Sequence, residues 1–179
     1  GGEEMPGSSL FSLLFFGVFT IVLSTGIFTL KNNNKDSSNR VFFALTISIA
    51  FWSLGMALST VAPDTDTCDI YRRFGAIGWS TAYAILLHFV LIITGRAKKI
   101  KSKALYLLMY IPAVVCIFAF SIPNDLNPSP YYFQKTEYGW INTSQFNFWD
   151  CIFYAYYIGY TITSLILLVK WGRDSQDEE

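Results

Sequence analysis

An all-α, polytopic membrane helical bundle of five transmembrane helices is the fold class this 179-residue sequence predicts, and three observations predict it. The composition is 53% hydrophobic and 18% aromatic but only 15% charged, against about 25% charged in an ordinary soluble domain. Charge is also excluded from long stretches. Residues 10–30, 41–62, 104–122 and 151–169 hold no Asp, Glu, Lys, Arg or His, and residues 74–95 hold only His88. Finally, each stretch matches the roughly 20 apolar residues that a helix rising about 1.5 Å per residue needs to cross about 30 Å of hydrocarbon. Too little polar sequence remains to surround five such helices with a water-facing shell.

Residues 1–9 read as an outer amino-terminal tail or an expression remnant, since Gly1–Glu4 precede Met5. A five-span membrane domain is expected over residues 10–169. Its first span, 10–30, exceeds the apolar core of a secretory signal, and it follows acidic Glu3 and Glu4 where a signal is basic. Span two, 41–62, follows Asp36, Ser37, Ser38 and Asn39, all helix-capping types, and closes at Pro63. Span three, 74–95, ends at Gly95, which suits a left-handed cap. Span four, 104–122, carries Pro112, which lacks an amide donor and crowds the Leu108 carbonyl. A kink is expected there, either for packing alone or as the bound of a pocket or joint. Span five, 149–169, precedes a cytoplasmic tail or truncated linker, 170–179.

Basic residues set the direction. Of 13 Lys and Arg, ten fall in residues 31–40, 96–103 and 170–179, while Arg72, Arg73 and Lys135 fall on the other side. The bias puts the amino terminus outside and the carboxyl terminus in the cytoplasm, as a multi-pass protein of the cell's inner membrane. RAKKIKSK (96–103) is then a cytoplasmic cuff whose lysines reach membrane lipid headgroups. It lacks aromatic interleaving and the chain has zero net charge, so no nucleic-acid partner is expected.

Polar residues inside the spans carry the functional signal. In span five Asp150, Tyr154, Tyr157, Thr161 and Ser164 form one helical stripe, with Tyr156, Tyr160 and Thr163 beside it. Such a face lines a polar cavity or makes dry interhelical bonds. Ser48, Trp52, Gly55 and Ser59 share a face of span two, either as an interface or with the indole as the floor of a ligand site. His88, on the face of Thr81, is placed to bond across helices as a neutral imidazole, with a proton- or ligand-linked switch as the other reading. It is the only histidine, which argues against a metal site. Arg72 and Arg73 either pair with Asp69 or offer charge to Asp150 or to a carboxylate-bearing ligand.

The outer segment YYFQKTEYGWINTSQFNFW holds eight aromatics in nineteen residues. It suits a hairpin around Glu137–Gly139, a strip along the headgroups, or a cover over the bundle's outer mouth. Asn142–Ser144 matches a glycosylation acceptor. Cys68 and Cys151 share one membrane face, so a bridge or free thiols are both open; Cys116 lies within a helix. No catalytic triad, phosphate loop, carboxylate pair or cofactor-binding motif is present, so no catalytic residue and no cofactor are assigned and an enzyme ranks last.

Two longer stretches belong together: NRVFFALTISIAFWSLG (39–55) and RRFGAIGWSTAYAILLHFVLIITG (72–95). With Asn39–Arg40, Trp52–Ser53, Leu87–His88–Phe89 and Gly139–Trp140, they resemble the amino-terminal seven-helix membrane sensor region of bacterial and archaeal histidine kinases. Related regions also precede diguanylate cyclases. The resemblance implies seven spans, a start outside, a cytosolic output domain and a homodimeric parent. The chain shows five spans and is expected to be a five-helix fragment lacking helices six and seven.

The expected function is therefore the sensory, signal-transducing input of a two-component histidine kinase, responding to an unidentified small ligand or peptide. Candidate sensing residues are Arg72, Arg73, Trp140, Asp150, Tyr154 and Tyr157. Trp52, His88 and Pro112 are candidates for coupling or packing. The alternatives are a small permease or channel component and a noncatalytic membrane assembly subunit.

Overall fold

The chain folds as α1 (Pro6–Asn32), α2 (Ser37–Thr60), α3 (Thr65–Ile93), α4 (Lys103–Phe120) and α5 (Phe148–Gln176), with a hairpin between the last two helices. Strand β1 (Phe133–Thr136) pairs antiparallel with β2 (Gly139–Asn142), Phe133 opposite Asn142. This computed structural model describes residues 6–100, 102–143 and 146–176; Gly1–Glu4 and Ser144 of the acceptor triplet lie outside them. All five helices are long and apolar enough to cross a membrane. Hydrocarbon offers no partner to a backbone amide, so spanning segments satisfy their own ladders as helices.

Short polar connectors set where the helices begin. Asp36 accepts hydrogen bonds from the Ser38 amide at 2.8 Å and its hydroxyl at 2.9 Å, capping α2. Asp64 accepts the Thr67 amide at 2.8 Å and starts α3 at Thr65, well before the apolar stretch at residue 74. These amide bonds, the largest cause in each case, hold both carboxyls below the usual carboxylate range. Arg72 and Arg73 consequently sit inside a regular helix. Gly95, at φ +69°, turns the chain out of α3 into a single 3-10 turn, Arg96–Lys99.

The α2–α3 seam is the closest approach in the bundle. A Cβ on Gly55 would stand 2.5 Å from the Gly75 Cα, and one on Gly78 would overlap the Ser48 carbonyl. Within lipid, apolar side chains gain little from leaving one apolar medium for another, so small residues that let backbones touch supply the attraction. Ser48 Oγ and Thr81 Oγ1 hydrogen-bond across the seam at 2.9 Å. On the other side of α2, Gly26 of α1 packs on Thr46, and the Ser12 hydroxyl donates to the Ala57 carbonyl at 2.8 Å. The outer face of α1 is open: Leu13, Ile21 and Phe28 are 67%, 68% and 75% exposed, which suits lipid rather than water.

A second core joins α3, α4 and α5 through Ala76, Ala84, Ala113, Cys116, Ala119, Phe120 and Tyr156. α4 runs unbroken through Pro112. The Tyr160 hydroxyl donates to the Met109 carbonyl at 2.9 Å, beside the Leu108 carbonyl that the proline leaves without its ladder donor. Arg96 reaches Asp174 at 3.9 Å, placing the α3–α4 turn and the end of α5 at one end of the bundle. All three cysteines are free, Cys68 and Cys116 buried and Cys151 exposed, so the Cys68–Cys151 bridge is not formed.

Replacing Gly55 or Gly78 with Ala is expected to force α2 and α3 apart and cost about 1–3 kcal/mol. Thermal unfolding in detergent micelles measures it. Gly159→Ala, which has open space around its Cα, should be neutral or slightly stabilising in the same assay.

Candidate functional site

The hairpin closes the end of the bundle opposite Arg96. Its tight turn needs glycine: Gly139 sits at φ +103°, and a Cβ there would overlap the Thr60 carbonyl. Trp140 then makes two backbone clasps. Its indole Nε1 donates to the Ala62 carbonyl at 2.8 Å, and its own carbonyl accepts from Arg72 Nη2 at 2.8 Å. Lys135 places its ammonium 5.4 Å from the Trp140 ring centroid, a cation–π contact on the outer surface. Tyr138 meets Phe11 of α1 edge-on, with centroids 5.5 Å apart. One short hairpin is thereby tied to α1, to the end of α2 and to α3.

Beneath it lies a cavity of about 280 Å³. α2 contributes Trp52, Gly55 and Met56, and α3 contributes Arg72, Gly75 and Trp79. Phe120 of α4, Pro130, Tyr131 and Asn142 of the hairpin segment, and Asp150, Phe153 and Tyr154 of α5 complete the wall. Aromatic rings interlock below: Trp79 and Phe153 meet edge to face at 4.4 Å, and Trp79 and Phe120 at 5.2 Å.

The charged groups differ in how well they are matched. Arg73 pairs through Nε with Asp69, one helical turn earlier. Asp150 is part of a capping box at the start of α5: its carboxylate accepts the Asn147 amide at 3.0 Å, and Asn147 Oδ1 accepts the Asp150 amide at 3.0 Å. Arg72 has the Trp140 carbonyl and the Met56 thioether, at 2.9 Å, while its Nε is buried without an acceptor. The Tyr131 phenol sits among all four charges and donates to the Phe120 carbonyl at 3.0 Å. Burial pushes its pKa above the ordinary range; Arg73 and Arg72 oppose the rise, while Asp69 and Asp150 add to it. Chemically the arrangement can hold a small molecule by one guanidinium and an aromatic wall. Among the described residues no group of three or more His, Cys, Asp or Glu is arranged to hold a metal.

A family profile described as the N-terminal 7TM region of histidine kinase matches residues 12–178. The chain belongs to that family. No curated protein and no solved structure matches it. The sensor region is thus a multi-pass membrane protein of a histidine-kinase input family, with five spanning-length helices among its described residues beside the seven in the family's description.

The residues predicted from sequence fall into three groups in this sensor region. Trp52, Arg72, Asp150 and Tyr154 meet in the cavity wall, and Trp140 lies in the hairpin above it. Arg73 turns to Asp69, and Tyr157 packs among the rings of Tyr83, Phe153 and Tyr154. Pro112 lies midway along α4, and His88 lies nearer the other end. There His88 Nδ1 is 2.8 Å from the Tyr110 hydroxyl and its ring is 5.0 Å from that of Tyr106. A separate apolar hollow of about 350 Å³ opens at that end between Leu87, Leu91, Ile100 and Leu105.

Sequence reasoning missed Met56, Trp79 and Tyr131 as wall residues and Asn147 as a cap; N-F-W-D (147–150) was a readable capping-box pattern. It also ranked Tyr157 above Tyr156. The Tyr156 hydroxyl donates to the Ser80 carbonyl at 2.9 Å and accepts the Ala84 amide at 2.9 Å, so α5 bridges one rung of the α3 ladder. Tyr156→Phe is expected to cost about 1 kcal/mol, and Tyr157→Phe close to nothing, by thermal unfolding of the sensor region in detergent.

Proposed function

We infer that this chain is the stimulus-receiving part of a histidine kinase, and that the stimulus acts in the cavity under the hairpin. One observation carries this reading: the hairpin that roofs the cavity touches α1 through Tyr138, bonds the chain just past α2 at Ala62 and bonds Arg72 of α3. Occupancy that repositions Arg72 or Trp140 also changes what holds three helices together. A sensor requires that differential stabilisation of two packings, not binding alone.

The distribution of basic residues supports an amino terminus outside, a carboxyl terminus in the cytoplasm and residence in the cytoplasmic membrane. The hairpin then faces outward, and the Arg96–Lys103 turn meets anionic headgroups. In the whole protein two further spans and a cytosolic output domain, working as a dimer, receive the bias through α5. Tyr156 and Tyr160 suit α5 to that task, because they bond to the backbones of α3 and α4. Arg72, Asp150, Tyr154 and Trp52 are the sensing wall, and Trp140 is the clasp; Arg73 and Tyr157 position it, and His88 and Pro112 belong to coupling.

A permease reading fits less well. Trp79, Phe120, Phe153 and Tyr156 fill the space between the outer cavity and the apolar hollow at the other end. The chain supplies binding and movement, with catalysis left to the output domain.

In the full-length kinase, Trp140→Ala is expected to change basal autophosphorylation roughly fivefold, the effect of losing about 1 kcal/mol of bias. Unaltered basal and stimulated output would remove the hairpin from the mechanism. For orientation, in a Cys151→Ser background that removes the exposed native thiol, a membrane-impermeant maleimide should label Lys135→Cys in intact cells, and Lys99→Cys only after permeabilisation.

A further inference from the structure

Arg72, in the cavity wall, has an unmet electrostatic demand. Arg72 is always ionised, yet among the described residues no carboxylate stands within ion-pair distance of it. Its acceptors are a carbonyl and a thioether, and the buried Nε has none. Thioether sulfur is a weak acceptor, and a buried charged donor left unsatisfied is costly. The neighbouring charges are already engaged. Arg73, outside the cavity wall, pairs through Nε with Asp69 although its Nη1 is buried without a partner, and Asp150 serves the amino-terminal end of α5, where the helix dipole favours a carboxylate.

The rest of the lining defines what accompanies that charge. Trp52, Trp79 and Tyr154 present ring surfaces, and Asp150 faces the same space. A doubly charged phosphate would bring a second negative charge against Asp150, whereas a single negative charge balances Arg72 alone. Size narrows the choice further. An engineered apolar cavity of roughly 150 Å³ holds benzene, and this cavity is about 280 Å³. It has room for one ring with a short chain and an acid group, but not for a diacyl lipid.

We propose that the cavity binds a small monocarboxylate with an aromatic or similarly compact apolar body, the acid on Arg72 and the body against Trp52 and Trp79. The carboxylate replaces the Met56 sulfur as the acceptor of the guanidinium and draws on the same group that holds the Trp140 carbonyl. Ligand and hairpin therefore share one residue. This assignment rests on the cavity being the input site, and it adds the chemistry of what enters.

The test is isothermal titration calorimetry on the full chain in nanodiscs of zwitterionic lipid. The probes are 3-phenylpropionate, 3-phenylpropionamide and phenyl phosphate. The acid is expected to bind at least tenfold more tightly than the amide or the phosphate, the usual scale of a charge-assisted hydrogen bond. Arg72→Gln should abolish that preference, and Arg72→Lys should retain part of it, with thermal unfolding reporting that each variant is folded. Equal affinity for acid and amide on the unsubstituted chain overturns the proposal whether or not the variants fold. So does an undiminished preference in Arg72→Gln, or the absence of binding by all three probes. Any of these results leaves the sensor reading to the autophosphorylation of Trp140→Ala, which needs no ligand.

Discussion

The contact on which the rest of the bundle depends is the side-chain-free approach of α2 to α3. Gly55 lies on Gly75 and Gly78 lies under the Ser48 carbonyl, so nothing larger than hydrogen separates the two backbones. In a lipid environment that closeness is itself the attraction, because dispersion and the Ser48–Thr81 bond replace the hydrophobic drive that water would supply. The seam also shapes the outer cavity. Gly55 and Gly75 form part of its wall, and their small size leaves Trp52 and Met56 on one side of the space and Arg72 and Trp79 on the other. Tight packing and an open pocket arise from the same glycines.

α5 relates to its neighbours differently. Where α2 and α3 touch backbone to backbone, α5 stands off and extends hydroxyls. Tyr156 bridges a rung of α3 at Ser80 and Ala84, and Tyr160 reaches Met109 near the Pro112 gap in α4. Hydrogen bonds of this kind are directional, and each can be exchanged for another partner as a helix shifts, whereas a glycine seam opens only by losing all its contacts. The bundle therefore combines a backbone-contact pair, α2 and α3, with a member held by tyrosine hydroxyls and by the packing of Phe153 on Trp79 and Phe120. The hairpin repeats the pattern at its end of the bundle, where Arg72 connects it to α3 and the Trp140 indole connects it to the α2–α3 connector.

Much of the architecture was legible because a membrane imposes a strong constraint on sequence. Five apolar stretches about 20 residues long, capping residues at Asp36–Asn39, and Gly95 at the end of α3 mark the helices, although the Asp64 cap that starts α3 nine residues before its apolar stretch was missed. The hairpin at Glu137–Gly139 was legible as one of several uses for an aromatic segment; its packing on Thr60 and its bonds to Ala62 and Arg72 were not. Among site residues, Trp52, Arg72, Asp150 and Tyr154 could be nominated because polar or bulky groups in apolar stretches are conspicuous. Trp79 and Met56 looked like ordinary core, and Tyr156 and Tyr157 are adjacent tyrosines that periodicity alone cannot rank.

Sequence by itself determined the number of spanning-length helices, the family and the asymmetry of charge between the two ends. Each of these follows from local composition, since a helix in hydrocarbon closes its own hydrogen bonds whatever its neighbours do. Tertiary structure alone decided that Arg73 has a carboxylate partner in Asp69 while Arg72 bonds a carbonyl and a thioether, that Asp150 is occupied in capping, and that Tyr156 rather than Tyr157 joins α5 to α3. Those outcomes depend on the rotation of each helix about its axis and on which glycine admits which neighbour. Adjacent residues on a helix point about 100° apart, and only the packing determines which of them meets a partner.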